Sequence, residues 1–293
     1  MTLEQLRIFV AVAEREHVTR AAKALNLTPS AVSAAVSGLE QRHGVALFDR
    51  VGRGVVLSQA GRIFLEEARA VLARAQGAEA VLAEIAGLER GLLGLYASQT
   101  ISAYWLPARL AAFRKAHPGV EIRVAVGNTA QAAAAVRDGL AEIALVEGQV
   151  EDPLLEQAVV GHDRLVVVAP GGHPWGGLKR VGAEELRAAQ WVLREAGSGT
   201  RSEFEAAVAE LGVEPGELNL ALELPSNEAV RAAVEAGAGV TAISELVAAG
   251  SLRVGRLVEA RLRLPERPFS ALSHSQRRRS AAAAAFMAMA VGS

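Results

Sequence analysis

The first apolar stripe of the chain has helical spacing. Leu3, Leu6, Phe9, Val10 and Ala13 fall on one face of a helix predicted over residues 2–14. Ala21, Ala22, Ala24 and Leu25 predict a second, short helix whose small side chains let another helix cross closely. Asn26 follows, a residue type that tolerates the left-handed backbone of a tight turn. Thr28-Pro29-Ser30 then reads as a helix start, with a hydroxyl N-cap and proline at the first helical position. Val32, Val36 and Leu39 face inward on that third helix, which leaves Thr28, Pro29, Ser30, Ser33, Ala34 and Ser37 on a small, hydroxyl-rich outer face.

Gly44, Leu47-Phe48 and Arg50 lead into Val51-Gly52-Arg53-Gly54-Val55-Val56-Leu57, a glycine-tipped hairpin with basic residues at its turn. From Gly61 to Leu88 the period becomes seven: Phe64, Val71, Ala78 and Ile85 repeat, with Ala68, Ala75 and Leu82 between them. Such a seam of small and apolar residues predicts a long helix that pairs with a second copy, the alternative being a helix packed on its own domain. At Gly91 the rhythm changes to short apolar strands alternating with helices. Strands are predicted at 92–97, 120–126, 142–146, 165–169, 190–193, 220–224, 240–243 and 269–274, and helices at 103–116, 130–138, 184–188, 201–211, 228–236 and 278–289. Alternation of this kind means open sheets with helices on both faces. The restart at Arg164-Leu165-Val166-Val167-Val168 divides them into two lobes, the last strand and helix returning to the first.

The three short helices and the hairpin together predict a winged helix-turn-helix that enters the major groove of double-stranded DNA, with Arg50 and Arg53 placed for the phosphate backbone. An alanine-rich helical hairpin is the plainer reading of residues 18–40 alone. Charge agrees with the first reading: residues 1–62 carry eight Lys/Arg against five Asp/Glu, whereas the remainder carries 23 against 27.

From Leu3-Glu4-Gln5-Leu6 through Thr19-Arg20-Ala21-Ala22, Ala31-Val32-Ser33, Leu39-Glu40, Leu47-Phe48 and Arg50 to Leu57-Ser58-Gln59-Ala60-Gly61, the pattern resembles the amino-terminal domain of LysR-type transcriptional regulators. The match is ungapped over these segments and adds Arg20 to the expected DNA contacts. Pro29 stands where that family more often has Gln, and Ala34 and Ser37 where Arg is common. Readout here is therefore expected to lean on the wing and on DNA shape. The two-lobed remainder resembles the effector domain of the same family, which is similar to periplasmic binding proteins. The expected organisation is a winged helix-turn-helix head at 1–60, a dimerising linker helix at 61–90 and an effector-binding domain at 91–293. Its first lobe comprises 91–162 and 266–293, its second 163–265. The resemblance implies homodimers or homotetramers acting on promoter or operator DNA. A two-lobed solute-binding protein without regulatory role is the alternative.

In open α/β sheets ligands bind beyond the carboxyl ends of strands, where helix amino termini point. Four such junctions carry Ser, Thr, Asn or Gly: Ser98-Gln99-Thr100, Gly127-Asn128-Thr129, Gly197-Ser198-Gly199-Thr200-Arg201 and Ser226-Asn227. Each alone reads as a helix cap. Together, with the Arg201 guanidinium, they suit a small anion as effector. The run Arg194–Arg201, with Val126-Gly127-Asn128-Thr129 and Val146-Glu147-Gly148, resembles a subgroup whose better-known members govern sulfur assimilation and carbon fixation. Glu147 cuts across the anion reading, because a carboxylate repels an anion. It is expected to pair with Arg201, to bond a protonated oxygen or amine of the ligand, or to be a solvated strand end.

Catalysis finds no support. Lys23, Lys115 and Lys179 lie in no phosphate loop and follow no Ser at the spacing of a Ser-x-x-Lys nucleophile. The six histidines are scattered, no Gly-x-Ser-x-Gly elbow occurs, and Leu95–Ile101 lacks the glycines of a dinucleotide turn. Without cysteine there are neither disulfides nor thiolate metal sites, so no metal or cofactor is expected. Glu4 and Arg7 interrupt any signal-peptide core, and no apolar run reaches the ~20 residues of a membrane span. The expected compartment is the cytoplasm.

Overall fold

The computed structural model describes residues 1–51, 54–85 and 91–291, and only the backbone of 76, 79–81 and 83–85. The chain forms two compact units, one built on Met1–Ile85 and one on residues after it.

In the head, α1 (Leu3–Arg15) opens with a capping box. Thr2 Oγ1 accepts from Gln5 N at 3.1 Å, and Gln5 Oε1 accepts from Thr2 N at 3.0 Å. Helix α2 (Val18–Leu25) ends at Asn26, whose φ of 54° is the left-handed turn expected of it. Helix α3 (Pro29–His43) starts at proline, with Thr28 Oγ1 accepting from Ala31 N at 3.2 Å, and stops at Gly44. Strands β1 (Phe48–Val51) and β2 (Gly54–Leu57) pair antiparallel as the wing. The Glu40 carboxylate accepts from the amides of Leu47 (2.7 Å) and Phe48 (3.1 Å), which fixes the base of the wing to the end of α3. Phe9 and Leu39 pack with Leu6, Val10 and Leu47 in one apolar cluster, and Val12, Ala21, Ala22 and Val32 belong to a second.

The long helix α4 (Gln59–Ile85) divides its seam between two surroundings. Ala68 is buried in the head's own core, with Phe64, Leu65 and Leu72 packed against the same cluster. Val71 and Leu82 are 41% and 68% exposed. The first part of the predicted seam thus serves its own domain, because the period that presents residues to a partner also presents alternate turns to the head. The side chain of Ile85 lies outside the described residues.

The body begins with β3 (Gly91–Ser98), followed by a π-helical turn at Ile101–Trp105, α5 (Leu106–Ala116), β4 (Val120–Gly127), α6 (Thr129–Arg137) and β5 (Ile143–Glu147). β3 pairs in parallel with both β4 and β5. Next comes β6 (Leu155–Pro170), of which the sequence pattern predicted only 165–169. The second lobe adds α7 (Ala183–Ala188), β7 (Gln190–Arg194), α8 (Gly199–Glu210), β8 (Asn219–Leu224), α9 (Asn227–Glu235) and β9 (Thr241–Ser244). Helix α10 (Glu245–Arg253) and β10 (Leu257–Glu259) complete it, neither of them predicted. β11 (Glu266–His274) and α11 (Ala281–Val291) return to the first lobe.

Strand β6 belongs to both lobes. Its first part pairs antiparallel with β11, from His274↔Leu155 to Glu266↔Arg164, and β11 in turn pairs with β5. Its second part pairs with β9 and β10. β7 and β8 run parallel, and β7 reaches β9 through a bridge between Trp191 and Val240. Trp105, Phe113, Phe269 and Phe286 share one apolar cluster of the first lobe, and Ala132, Val136, Val146 and Leu272 form another. In the second lobe Trp175, Trp191 and Phe204 gather in one cluster, and Val166, Val192, Val230 and Ile243 in another. Helices cover both faces of each sheet, as alternation required.

Gly61 carries a testable consequence for the head. Ser58 Oγ caps α4 by accepting from Gly61 N at 2.9 Å and donates to Ala46 O at 2.8 Å, drawing the helix start onto the wing. A Cβ at Gly61 would fall inside the van der Waals shell of the Leu47 carbonyl oxygen and press on Leu57. Gly61→Ala should therefore lower the head's stability by about 1–3 kcal/mol, the range for overpacking a tight site. Denaturant unfolding of the two proteins measures it, and an unchanged midpoint would contradict the packing described.

Candidate functional site

The outer face of α3 is the first candidate. Thr28, Pro29, Ser30, Ser33, Ala34 and Ser37 are all exposed, as are Arg20 on α2 and Arg50 on β1. Val32 and Leu39, on the opposite side of α3, are 0% and 1% exposed. No side chain of the outer face is needed by the core. Arg53 lies outside the described residues.

The second candidate lies where the body's lobes meet. Thr100, Asn128, Thr129, Glu147, Ser98, Ser198 and Thr200 are all buried there, each less than a tenth exposed. Gln99 reaches across: its Nε2 donates to Pro225 O (2.8 Å) and its Oε1 accepts from Asn227 N (3.0 Å) at the start of α9. Asn227 Nδ2 donates to Thr100 Oγ1 at 3.0 Å, and Asn227 Oδ1 accepts from Arg194 at 2.6 Å. Asn128 caps α6 through its bond from Gln131 N (2.9 Å) and donates from Nδ2 to Glu195 at 3.2 Å. Ala130 N donates to Gly197 O at 3.1 Å. Gly199 starts α8 so close to the first lobe that a Cβ there would stand 2.5 Å from Thr129 Oγ1.

Arg201 is placed otherwise than the sequence suggested. Its guanidinium bonds Glu205 (2.7 Å), Glu223 (2.6 Å) and the carbonyl of Arg194 (3.0 Å), and it does not pair with Glu147. Glu205 is one turn on along the same helix, so the ion pair is local. Ser226 likewise uses its hydroxyl to cap α9, accepting from Ala229 N at 3.0 Å.

Among the described residues the buried arginines are Arg267 and Arg194, neither of which the sequence reading placed in the site. Arg267 and Asp163 face each other across β11 and β6, 1% and 2% exposed in their side chains, with guanidinium–carboxylate distances of 2.9 and 2.6 Å. Arg267 also donates to Thr200 Oγ1 (3.1 Å), and Ser244 donates to the other Asp163 oxygen (2.8 Å). Arg194 holds Glu195 through two bonds, at 2.7 and 2.8 Å. Burial works to raise the Glu195 carboxyl, but the bonds from Arg194, its own backbone and Asn128 outweigh it and hold it below the usual carboxylate range. On the rim, Tyr104 of the first lobe donates to Glu228 of the second at 2.8 Å. Burial, reinforced by that carboxylate, pushes the Tyr104 hydroxyl up to about 12. The sequence signal for Asp163 and Arg267 was slight: single charges beside apolar strand ends.

A winged helix-turn-helix joined by a long helix to a two-lobed α/β body defines a DNA-binding regulator that carries its own sensor. Residues 3–62 match the bacterial regulatory helix-turn-helix proteins of the lysR family, and residues 86–292 match the LysR substrate binding domain. The chain is 38% identical over 259 residues to the HTH-type transcriptional regulator CbbR of Sinorhizobium medicae (strain WSM419), covering 88% of this chain and 82% of that one. It is 33% identical over 258 residues to the RuBisCO operon transcriptional regulator of Allochromatium vinosum, covering 88% and 84%. Among solved structures, the LysR family regulator CbnR superposes with a TM-score of 0.71 over 99% of this chain and 98% of its own, at 23% identity. Full-length CbnR complexed with its target DNA gives 0.70 over 99% of each chain, also at 23%. At that identity the likeness is one of fold.

The chain belongs to the LysR family. It is a DNA-binding transcriptional regulator with an effector-binding domain, related to the CbbR and RuBisCO operon regulators, and a solute-binding protein without regulatory role would leave residues 3–62 unexplained. Among the described residues no helix is long and apolar enough to cross a membrane.

The Asp163–Arg267 pair supplies a test of how the lobes are joined. Asp163→Ala leaves a buried guanidinium uncompensated and should lower the body's stability by about 3–5 kcal/mol, whereas replacing both residues with apolar ones of similar size should cost far less. Chemical denaturation of the single and double variants reads the difference. Equal losses in both would mean that the pair is not the joint.

Proposed function

We propose that the head reads operator DNA through the outer face of α3, with Thr28, Pro29, Ser30, Ser33, Ala34 and Ser37 toward base edges and Arg20, Arg50 and Arg53 on phosphates. The observation that carries this is the clean division of α3, whose outer positions are all exposed while Val32 and Leu39 are buried. With few long polar side chains on that face, discrimination relies on the wing and on sequence-dependent DNA shape. The working organisation is a DNA-binding head at 1–60, a linker at 61–90 and an effector domain at 91–293, acting in the cytoplasm where its DNA lies. The first lobe takes 91–162 and 266–293, the second 163–265. β6 and β11, which cross between the sheets near Asp163 and Glu266, support that division.

The effector is a small anion held between the lobes, at the amino termini of α6 and α8. Ser98, Thr100, Asn128, Thr129, Ser198, Gly199 and Thr200 supply hydroxyls and amides there. Gln99 and Ser226 sit at the start of α9, and Arg201 supports the second-lobe wall from behind. Arg267, in contact with Thr200, replaces Arg201 as the cation nearest the anion. The chain pairs as a homodimer through α4 and assembles further into a homotetramer. Exposed Val71 and Leu82 support the α4 interface. So does an apolar cavity of about 450 Å³ beside the helix, lined in part by Met1, Leu39, Val45, Ile63 and Phe64. Two heads joined in this way can meet half-sites one DNA turn, ~34–36 Å, apart.

Gel shifts on DNA from the regulator's own promoter region, across a salt series, test the DNA reading. Arg53→Ala should weaken binding to all sequences and flatten the salt dependence by about one unit of slope. Ser33→Tyr should instead harm cognate DNA most, and equal loss on random DNA would remove Ser33 from the groove. For the interface, Val71→Glu with Leu82→Glu brings like charges into a buried seam at a cost of several kcal/mol, on the order of breaking a buried pair. Light scattering should then find monomers or partly dissociated species, and an unchanged oligomer would place the interface elsewhere.

A further inference from the structure

Two buried hydroxyls at the lobe junction have no hydrogen-bond partner among the described residues: Ser98 Oγ, 2% exposed at the end of β3, and Thr129 Oγ1, 9% exposed at the start of α6. Beside them at the end of β5 stands Glu147, a residue 3% exposed that no ion pair engages among the described residues. Their positions converge. β3 and β5 pair in parallel from Leu95↔Ile143 to Ala97↔Leu145, so Ser98 and Glu147 leave adjacent strands at the same end. Thr129 and Glu147 meet again at Gly199, where a Cβ would stand 2.5 Å from Thr129 Oγ1, 2.7 Å from Glu147 O and 3.4 Å from Glu147 Cβ. That point is the amino terminus of the twelve-residue helix α8.

A carboxylate without a counter-ion of its own is left to bond whatever enters beside it. The nearby guanidiniums are engaged elsewhere: Arg267 with Asp163, Arg194 with Glu195, and Arg201 with Glu205 and Glu223. Glu147 therefore answers to the ligand. Helix amino termini and free hydroxyls favour negative charge, and the hydroxyls donate to any oxyanion alike. An ionised carboxylate only accepts, so it repels an oxyanion that has lost every proton. A ligand O–H directed at it turns that repulsion into a charge-assisted hydrogen bond.

We propose that Glu147 makes the cleft selective for anions that keep a hydrogen-bond donor, such as hydrogen phosphate or a hydroxyl-bearing acid, over fully deprotonated oxyanions such as sulfate. This rests on the reading of the cleft as an anion site. The selectivity is of the strong kind, since the wrong ligand leaves a buried polar group facing its own charge.

Isothermal titration of the full-length protein with inorganic phosphate and with sulfate, at neutral pH, tests it. The wild type should prefer phosphate by about tenfold or more, the scale of one hydrogen bond to a charged group. Glu147→Gln substitutes an amide that can donate, so sulfate affinity should rise until the preference disappears or reverses. Glu147→Asp keeps the acceptor and should keep the preference, which guards against a glutamine variant that fails to fold. Equal binding of the two anions by the wild type overturns the proposal and leaves the anion site standing. A phosphate preference that persists in Glu147→Gln also overturns it, because the selector is then another group. Binding of neither anion to any of the proteins overturns the proposal together with the anionic-effector reading beneath it.

Discussion

The pairing of Asp163 with Arg267 fixes how the body is put together. Both side chains are buried at the place where β6 leaves one sheet for the other and β11 begins its return. Two charges withdrawn from water hold only if geometry and further bonds compensate their desolvation. Here the guanidinium meets one carboxylate oxygen twice, Ser244 satisfies the other, and the remaining arm of Arg267 reaches Thr200. The same network that joins the crossing strands thus sets the position of α8, and with it the second-lobe wall of the cleft.

Arg267, Arg194 and Arg201 each carry their own counter-charge, so in the anion site proposed above attraction would come less from net charge than from oriented dipoles and hydroxyls. Such groups act more strongly out of water. The bonds that tie Gln99, Thr100 and Asn128 to the opposite lobe would, on that proposal, be exchanged or bridged as a ligand enters. The response to ligand is the difference between those bonds and the new ones, as for any two-state coupling.

What could be read from sequence divides by range. Thr28 before Pro29, Asn26 at the turn and the alternation of the body are written within a few neighbouring residues, and each element formed where its local chemistry put it. Residues 155–164 alternate weakly and carry Gly161, His162 and Asp163. Only pairing with β11, a hundred residues away, makes them a strand. Arg201 stood out because of its neighbours Gly199 and Thr200, yet Glu205 and the distant Glu223 decide where its charge goes. Arg267 and Asp163 find each other across 104 residues, a partnership that spacing along the chain does not encode. The seam of α4 was visible as a period, but which of its turns meets the head depends on tertiary packing.

The separation of duties on α3 has an evolutionary consequence. Its inner side chains and the Glu40 bonds to the wing base hold the head together, while of the outer positions only Thr28 and Pro29, which start the helix, have a structural duty. On the proposed reading of this face, substitutions at Ser33, Ala34 and Ser37 change which promoter is recognised at little thermodynamic cost. After gene duplication, a copy of such a regulator can drift across operator sequences without passing through unfolded intermediates. The sensor behind it can diverge on its own schedule.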